Sequence, residues 1–304
     1  MNNHKENIVI INKVKNYIAE NLGSDMPLSK LAQIANFSPF HFQRLFKSIV
    51  NETPKQYIKR LRLEAAAHYI VLNDDTTILK VALLYGFTSL EAFSRAFKNY
   101  YGLSPDNFRR EKEDNIMSIL QTKTNLDQHQ GIDHTAFISD FIDKDSLELE
   151  IDITKTSPAK IIYIPITLGK FETLDNSFKT IKNWAGARGI ITPRSEVFGL
   201  MKDFPAFTAL DKCRFQTCVS VDELPEVAGE IMSMELPSLV CATFKVYGGI
   251  HEIIKAIMWV KTHWLPDKGY KIRHFPVKLI PLSDPTHSHL HNISYQIYLA
   301  IDPK

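Results

Sequence analysis

Two short segments of this 304-residue chain carry side chains that could read the edges of nucleic-acid bases. In the first segment Gln43 and Arg44 stand side by side, and in the second Arg95 follows Ser94. Gln and Arg side chains can form paired hydrogen bonds with adenine and guanine edges, and an apolar side chain such as Phe40 can contact a thymine methyl group. These residue types predict base recognition if one helix face presents them.

The two segments belong to an internal repeat, which indicates the elements that must position them. Residues 28–38 match residues 78–88 at an offset of 50, and the offset becomes 51 at Phe42, which falls on Phe93. A single insertion therefore separates two copies of one unit.

Each copy is predicted to form two short helices joined by a tight turn. The turns fall at Asn36 and Gly86, the residue types that most easily adopt positive φ. Ser38 and Thr88 are predicted to cap the second helix of each copy. Glu91 lies at capping-box spacing from Thr88, but its carboxylate could instead accept a hydrogen bond from a cytosine amine.

Apolar residues at helical spacing predict a buried face on the second helix of each copy. The opposite faces carry the candidate base-reading residues, which are Phe40, Gln43, Arg44, Leu90, Glu91, Ser94 and Arg95. A solvated surface is the alternative for one isolated helix. Two such helices in a duplicated helix-turn-helix favour DNA reading.

A predicted helix over residues 55–72 separates the two copies. It would span roughly 27 Å at 1.5 Å per residue, close to the about 34 Å between successive major-groove turns. Basic side chains on and around it are candidate phosphate contacts, with solvent exposure as the alternative: Lys47, Lys59, Arg60, Lys98 and Arg109.

Residues 8–110 resemble the DNA-binding domain of the AraC/XylS family of bacterial transcription regulators. The resemblance is carried by Arg62-Leu-Glu-Ala-Ala66 and by the run from Tyr85-Gly86-Phe87 to Gly102-Leu-Ser-Pro105. It implies an all-α domain of two helix-turn-helix units joined by a linker helix, with base reading at the seven positions named above. It also implies double-stranded promoter DNA and RNA polymerase as partners.

From Leu147 the pattern changes to strands, and a second repeat with an offset of 80 places Trp184 on Trp264. Two copies of β-β-α-β-β predict an α+β domain with a cleft between its halves, which is a common position for a small-molecule site. This part of the sequence shows no nucleophile–base set, phosphate loop or zinc spacing, so neither catalysis nor a cofactor is expected.

Residues 147–303 resemble the GyrI-like effector-binding domain of bacterial multidrug-responsive regulators, through residues 204–222 and 263–270. The resemblance implies a small apolar or aromatic effector, often cationic, and commonly a buried glutamate on the penultimate strand. Leu279 stands at that glutamate's position, so the ligand is expected to be neutral or the cleft vestigial. Candidate wall residues, with core packing as the alternative, are Tyr163, Trp184, Phe198, Tyr247, Trp264 and Leu279.

Composition places these domains in a globular chain without an expected membrane span. The chain is 44% hydrophobic and 23% charged, and its predicted divisions are domain 1–115, linker 116–145 and domain 146–304. Residues 1–115 hold 16 basic and 12 acidic side chains, so the positive excess lies at the front. No apolar run approaches the roughly 18 residues of a membrane span, and three cysteines without a Cys-x-x-Cys pair fit a reducing, cytoplasmic location.

The expected function is a monomeric or weakly dimeric transcription regulator that a small molecule controls. One alternative is a drug-sequestering or hydrolytic protein that acts through its C-terminal domain. Another is a regulator whose second domain binds a protein. His287, His289 and His291 alternate as metal ligands on a strand would, but they follow Asp284-Pro285 and are expected to be exposed loop histidines without a metal.

Overall fold

The computed structural model describes residues 2–73, 76–110 and 148–304, except for 170, 206, 210, 228, 274, 275 and 284–292. It divides into two compact units, Met1–Asn115 and Ile116–Lys304. The predicted linker 116–145 and the histidines at 287, 289 and 291 lie outside the described residues, and the proposed domain limits remain a prediction.

Seven described helices form the first unit. They are α1 (Asn2–Glu20), α2 (Leu28–Ile34), α3 (Pro39–Val50), α4 (Pro54–Leu72), α5 (Ile78–Leu84), α6 (Leu90–Tyr101) and α7 (Pro105–Arg110). Helix α5 begins 50 residues after α2, and α6 begins 51 residues after α3, so the helices obey both offsets of the repeat. The prediction of two helix-turn-helix units joined by a linker helix is confirmed.

The tight turns inside the two helix-turn-helix units have the backbone conformation predicted for them. Asn36 has φ 54° and Gly86 has φ 72°. Ser38 caps α3 by accepting a hydrogen bond from the His41 amide at 3.3 Å. In the second copy the cap is Ser89, which accepts from the Ala92 amide at 3.2 Å.

Thr88 is therefore not the cap of α6, and the predicted capping box is wrong. Helix α6 begins at Leu90, one residue later than that box requires, so Glu91 is the second residue of the helix instead of the third.

Aromatic side chains fill the core of the first unit at repeat-equivalent positions. Phe42 and Phe46 of α3 are fully buried, as are Phe93 and Phe97 of α6. The ring centroids lie 5.6 Å apart in the first pair and 5.3 Å apart in the second. Burying these faces orients the opposite faces of α3 and α6 away from the core.

The described residues of the second unit form one nine-stranded antiparallel sheet. Its strands are β1 (Asp152–Lys155), β2 (Ala159–Thr167), β3 (Val197–Met201), β4 (Arg214–Val221), β5 (Met232–Leu236), β6 (Val240–Tyr247), β7 (Tyr270–Ile272), β8 (Val277–Pro281) and β9 (Ser294–Pro303). The order is β1-β6-β9-β8-β3-β4-β2-β5, and β7 pairs with β9. Helix α8 (Phe171–Gly186) follows β2, and helix α9 (Ile250–Trp259) follows β6 and continues as a π-helical turn, Val260–Trp264.

The offset of 80 holds in the structure. Strands β5 and β8 begin 80 residues after β1 and β3. The halves exchange edge strands, because β1 pairs with β6 and β5 with β2. The α+β fold is therefore confirmed. The sequence pattern predicts one continuous strand over residues 271–280, but the structure has two strands there, β7 and β8.

The helices mark one face of the sheet. Ile162, Ile164 and Val219 form a cluster with Ile181 of α8, and we call this side the helix face. Tyr163 and Phe198 pair with Cys218 from its two sides, so these three residues share the other side, which we call the far face. Within the described ranges, no helix is long and apolar enough to cross a bilayer.

Candidate functional site

Helix α3 presents its candidate base-reading residues to solvent. Phe40 is 72% exposed, and Gln43 and Arg44 are also exposed. The Arg44 guanidinium carbon lies 5.7 Å from the Phe40 ring centroid, within reach of a cation–π contact. This face therefore offers a partner an apolar ring beside amide and guanidinium donors.

Helix α6 presents the equivalent face with one polar group already engaged. Arg95 is exposed and Ser94 and Leu90 are half-buried. Hydrogen bonds from its own backbone amide and from the Ser89 hydroxyl lower the pKa of the exposed Glu91 carboxyl, with a smaller effect from Arg95. Glu91 therefore supports the helix start through Ser89, and a role in base reading would have to compete with these bonds.

Three of the five candidate phosphate contacts are exposed. Lys47 and Lys98 occupy repeat-equivalent positions near the ends of α3 and α6, and Lys59 lies on α4. Lys55, Lys59 and Gln43 border one depression of about 640 Å³ between α2, α3 and the start of α4. A base-reading candidate and two ammonium groups therefore face the same opening.

Arg60 is not available to DNA, which corrects its predicted role as a phosphate contact. Its side chain is only 7% exposed and forms ion pairs with Glu52 at 2.7 Å and Glu64 at 3.0 Å. Burial lowers the pKa of Arg60, but the Glu52 hydrogen bond and the two carboxylate charges outweigh this and raise it. Glu64 also accepts from the Tyr100 hydroxyl at 2.6 Å, so the network links α4 to α6.

Arg109 is also a structural residue in this unit rather than a free surface cation. It is half-buried, and its guanidinium donates to the carbonyl of Thr76, just before α5. Its predicted phosphate contact conflicts with this bond, because the guanidinium is directed at the protein backbone.

The structure does not bring the six candidate wall residues into one cleft. Trp184 packs in the cluster of the helix face, and Leu279 reaches the same face because it pairs with Gly199 and Ile297. Tyr163 and Phe198 lie on the far face. Tyr247 is 68% exposed at the end of β6, and Trp264 ends the π-helical turn.

The far-face aromatic residues are engaged by the protein itself. The Lys278 ammonium lies 4.4 Å from the Phe198 ring centroid and 5.2 Å from that of Tyr298. The same ammonium donates to Glu196 at 2.7 Å. Phe198 is therefore already covered by a cation of the protein itself, and its ligand contact stays a prediction. Tyr163 is buried in the same cluster and is likewise a packing residue.

Sequence reasoning missed Asp175, the polar residue that the structure adds to the helix face. Its Oδ1 atom is buried and has no hydrogen-bond partner in the described part of the chain. Burial, and then the Asp175 charge, raise the pKa of Tyr295 on β9, so the carboxyl of this α8 residue lies within electrostatic reach of the sheet. The sequence did contain one signal for this residue. Asp175 directly follows Leu174 and flanks the apolar stripe of Phe178 and Ile181, which the sheet buries.

Two protein-family models match the chain. Residues 31–111 match a helix-turn-helix domain, and residues 149–302 match the GyrI-like small molecule binding domain. The second match covers half of the chain.

Three similar proteins each match about a third of the chain. The Msm operon regulatory protein of Streptococcus mutans is 33% identical over 105 residues, which are 34% of this chain and 37% of that protein. The Transposon Tn10 TetD protein of Escherichia coli is 37% identical over 103 residues, which are 34% of this chain and 74% of that protein. The C-terminal domain of AraT, a response regulator from Geobacillus stearothermophilus, is 27% identical with a TM-score of 0.32, covering 33% of this chain and 84% of that one. This chain thus spans less than two thirds of the Msm protein.

Proposed function

Because the chain belongs to the AraC-type helix-turn-helix proteins that carry a GyrI-like small molecule binding domain, we propose that it is a transcription regulator controlled by a small effector. The helical unit reads a two-part site in promoter DNA. The second unit binds the effector. Regulation follows only if the effector has different affinities for the DNA-competent and DNA-incompetent states.

The observation that carries the DNA-binding proposal is the repeat-equivalent exposure of Arg44 and Arg95. The two arginines are 51 residues apart in sequence and occupy the same position in their helices. The apolar face of each helix is buried. The 19-residue helix α4 between them is about 28 Å long, similar to the about 34 Å of one turn of duplex. One chain can then place α3 and α6 in successive major-groove turns.

Selection from random-sequence duplexes by gel shift tests this proposal. We expect a site of two unlike half-sites whose centres lie about 10 base pairs, or one helical turn, apart. Unlike half-sites follow because α3 presents Gln43 where α6 presents Ser94. Recovery of a single short site, or of no preferred sequence, would contradict the proposal.

The effector is a small apolar or aromatic molecule that enters between the helices and the sheet. Leu279 and Trp184 give this side an apolar character, and Asp175 offers an unpaired buried acceptor. A buried acceptor without a partner costs free energy, so it favours a ligand that carries a hydrogen-bond donor on an apolar body. The proposed effector is neutral, because Leu279 supplies no acid and an uncharged hydroxyl or amide donor is enough to bond the Asp175 carboxyl.

Thermal-shift measurements with matched probes test the effector proposal. We expect 2-naphthol to stabilise the second unit more than 2-methoxynaphthalene, which has the same body without the donor. A probe at a concentration of 100 times its Kd should raise the free energy of unfolding by about 2.7 kcal/mol. The difference should shrink in Asp175→Ala. A larger shift from cationic dyes of similar shape would reject a neutral effector, and silence of all probes would favour a protein partner for this unit.

Promoter DNA is the partner that the family supports, and RNA polymerase follows from the proposed role. We propose a monomer or weak dimer, because the two reading helices lie within one chain. The rival function is sequestration or hydrolysis by the second unit alone. DNA binding that responds to an effector separates the rival from the regulator, since a sequestering protein needs no sequence preference.

A further inference from the structure

One arginine of α4 bridges the turn that leads into the first helix-turn-helix unit and the turn inside the second one. The Arg62 Nε donates to the Leu22 carbonyl at 2.8 Å, and its Nη2 donates to the Ser24 carbonyl at 2.7 Å. Both carbonyls belong to the turn between α1 and α2, which leads into the first helix-turn-helix unit at Leu28. The Nη1 of Arg62 donates to the Gly86 carbonyl at 2.9 Å, in the turn of the second helix-turn-helix unit.

This arrangement requires a guanidinium. Its planar fork directs several N–H donors along fixed directions, and here it reaches three carbonyl oxygens on two segments. An ammonium group carries its three donors on one atom and cannot bridge the same oxygens. Burial lowers the pKa of Arg62 and the Asp25 charge opposes this shift, but a guanidinium remains protonated at neutral pH.

The backbone around Arg62 leaves space for it. A Cβ atom on Gly86 would lie 2.7 Å from Arg62 Nη2, which is too close for either group to stay in place. The equivalent turn residue, Asn36, adopts a similar positive φ, so the turn itself does not require glycine. A Cβ atom on Gly23 would lie 2.6 Å from the Leu84 carbonyl oxygen, so the α1–α2 turn and the end of α5 meet backbone to backbone.

We infer that Arg62 is a positioning residue that fixes the spacing between the two reading helices, and thereby the number of base pairs that the protein accepts between its half-sites. The inference rests on the proposed DNA-reading function. Gly86 lies three residues before the Ser89 cap of α6, so a bond to its carbonyl constrains where α6 begins. One inserted base pair moves a half-site by about 3.4 Å and rotates it by about 34°, and a fixed pair of helices cannot follow.

Spacer variants of the selected DNA site provide the test, with binding of full-length protein measured on each. Wild type should lose about tenfold or more in affinity when one base pair is added or removed, because both helices then cannot bind together. Arg62→Lys should bind the parent site about tenfold more weakly, yet bind an isolated half-site within about twofold of wild type. Its affinity should be nearly constant over spacers one base pair shorter or longer.

Gly86→Asn gives a second route to the same change. Asparagine accepts the turn conformation, as Asn36 does, but its Cβ displaces the Arg62 guanidinium. We expect the flat spacer profile of Arg62→Lys. The matched control is Gly102→Asn, which also replaces a glycine at positive φ, +81°, but has nothing within 4 Å of the new Cβ. This control should keep the wild-type profile.

The outcomes separate the inference from the proposed function. Absence of any two-part site for wild type would refute the DNA-reading proposal before a variant is measured. A wild-type spacer profile in folded Arg62→Lys or folded Gly86→Asn would overturn the positioning role. An equal loss of affinity on isolated half-sites and on the full site would also overturn it, because Arg62 would then only support the fold of one helix-turn-helix unit.

Discussion

Replacing Arg60 with alanine is expected to lower the free energy of unfolding of the helical unit by about 3 to 5 kcal/mol, because it leaves the carboxylates of Glu52 and Glu64 near each other without their cation. Glu64 is only 3% exposed, so water cannot replace the lost ion pair. This cost is larger than that of most single substitutions, which fall between about 0.5 and 3 kcal/mol.

The chain provides its own reference for this measurement. All three tryptophans, Trp184, Trp259 and Trp264, lie in the second unit, so their fluorescence follows that unit during denaturation. Circular dichroism at 222 nm follows mainly the helical unit. Arg60→Ala should shift the dichroism transition to lower denaturant, whereas the exposed neighbour Lys59→Ala should change stability by about 0.5 kcal/mol or less. Equal stability of the two variants would contradict the buried network.

Arg44→Ala and Arg95→Ala should each reduce binding to the selected site by about 1 to 3 kcal/mol, or about 5- to 150-fold. The loss should be confined to one half-site in each variant, because the two arginines lie on different reading helices. Preference for the base pair contacted should relax at that position. Fluorescence anisotropy with single-base-pair variants of each half-site measures both effects.

Lys98→Ala is the matched control for Arg95→Ala, since both side chains are exposed on α6. A lysine that contacts only phosphate should weaken binding to every sequence alike and lower the slope of log affinity against log salt by about 1. If Arg44→Ala and Arg95→Ala gave this same uniform loss on random DNA, they would be phosphate contacts and the assignment of base reading would be wrong.

The repeat made the helical unit predictable from sequence, because its offsets carry over directly to helix ends. The repeat does not indicate which of two neighbouring basic residues on α4 is buried. Lys59 is exposed and Arg60 buried, although both look like basic surface residues in a helix of mixed polarity. One local signal was present, since Glu64 lies four residues after Arg60 at ion-pair spacing, but Glu52 comes from the loop between α3 and α4 and Tyr100 from α6.

The ligand side was predicted less well, because aromatic content indicates burial without indicating a face. Strand alternation does carry face information: Tyr163 lies between Ile162 and Ile164, whose side chains point the opposite way. Which of those faces α8 covers depends on how this helix packs back onto β2 and β4, and alternation along one strand does not contain that information. The position of Asp175 beside Tyr295 depends on the same long-range packing.

Missing-base interference on the selected duplex tests the central claim most directly, because it reports which bases the protein needs. We predict two clusters of required bases about 10 base pairs apart on one face of the DNA, one for each reading helix. Arg44→Ala should erase bases from one cluster and Arg95→Ala from the other. A single cluster, two clusters on opposite faces of the duplex, or loss from the same cluster in both variants would contradict reading by a duplicated pair of helices.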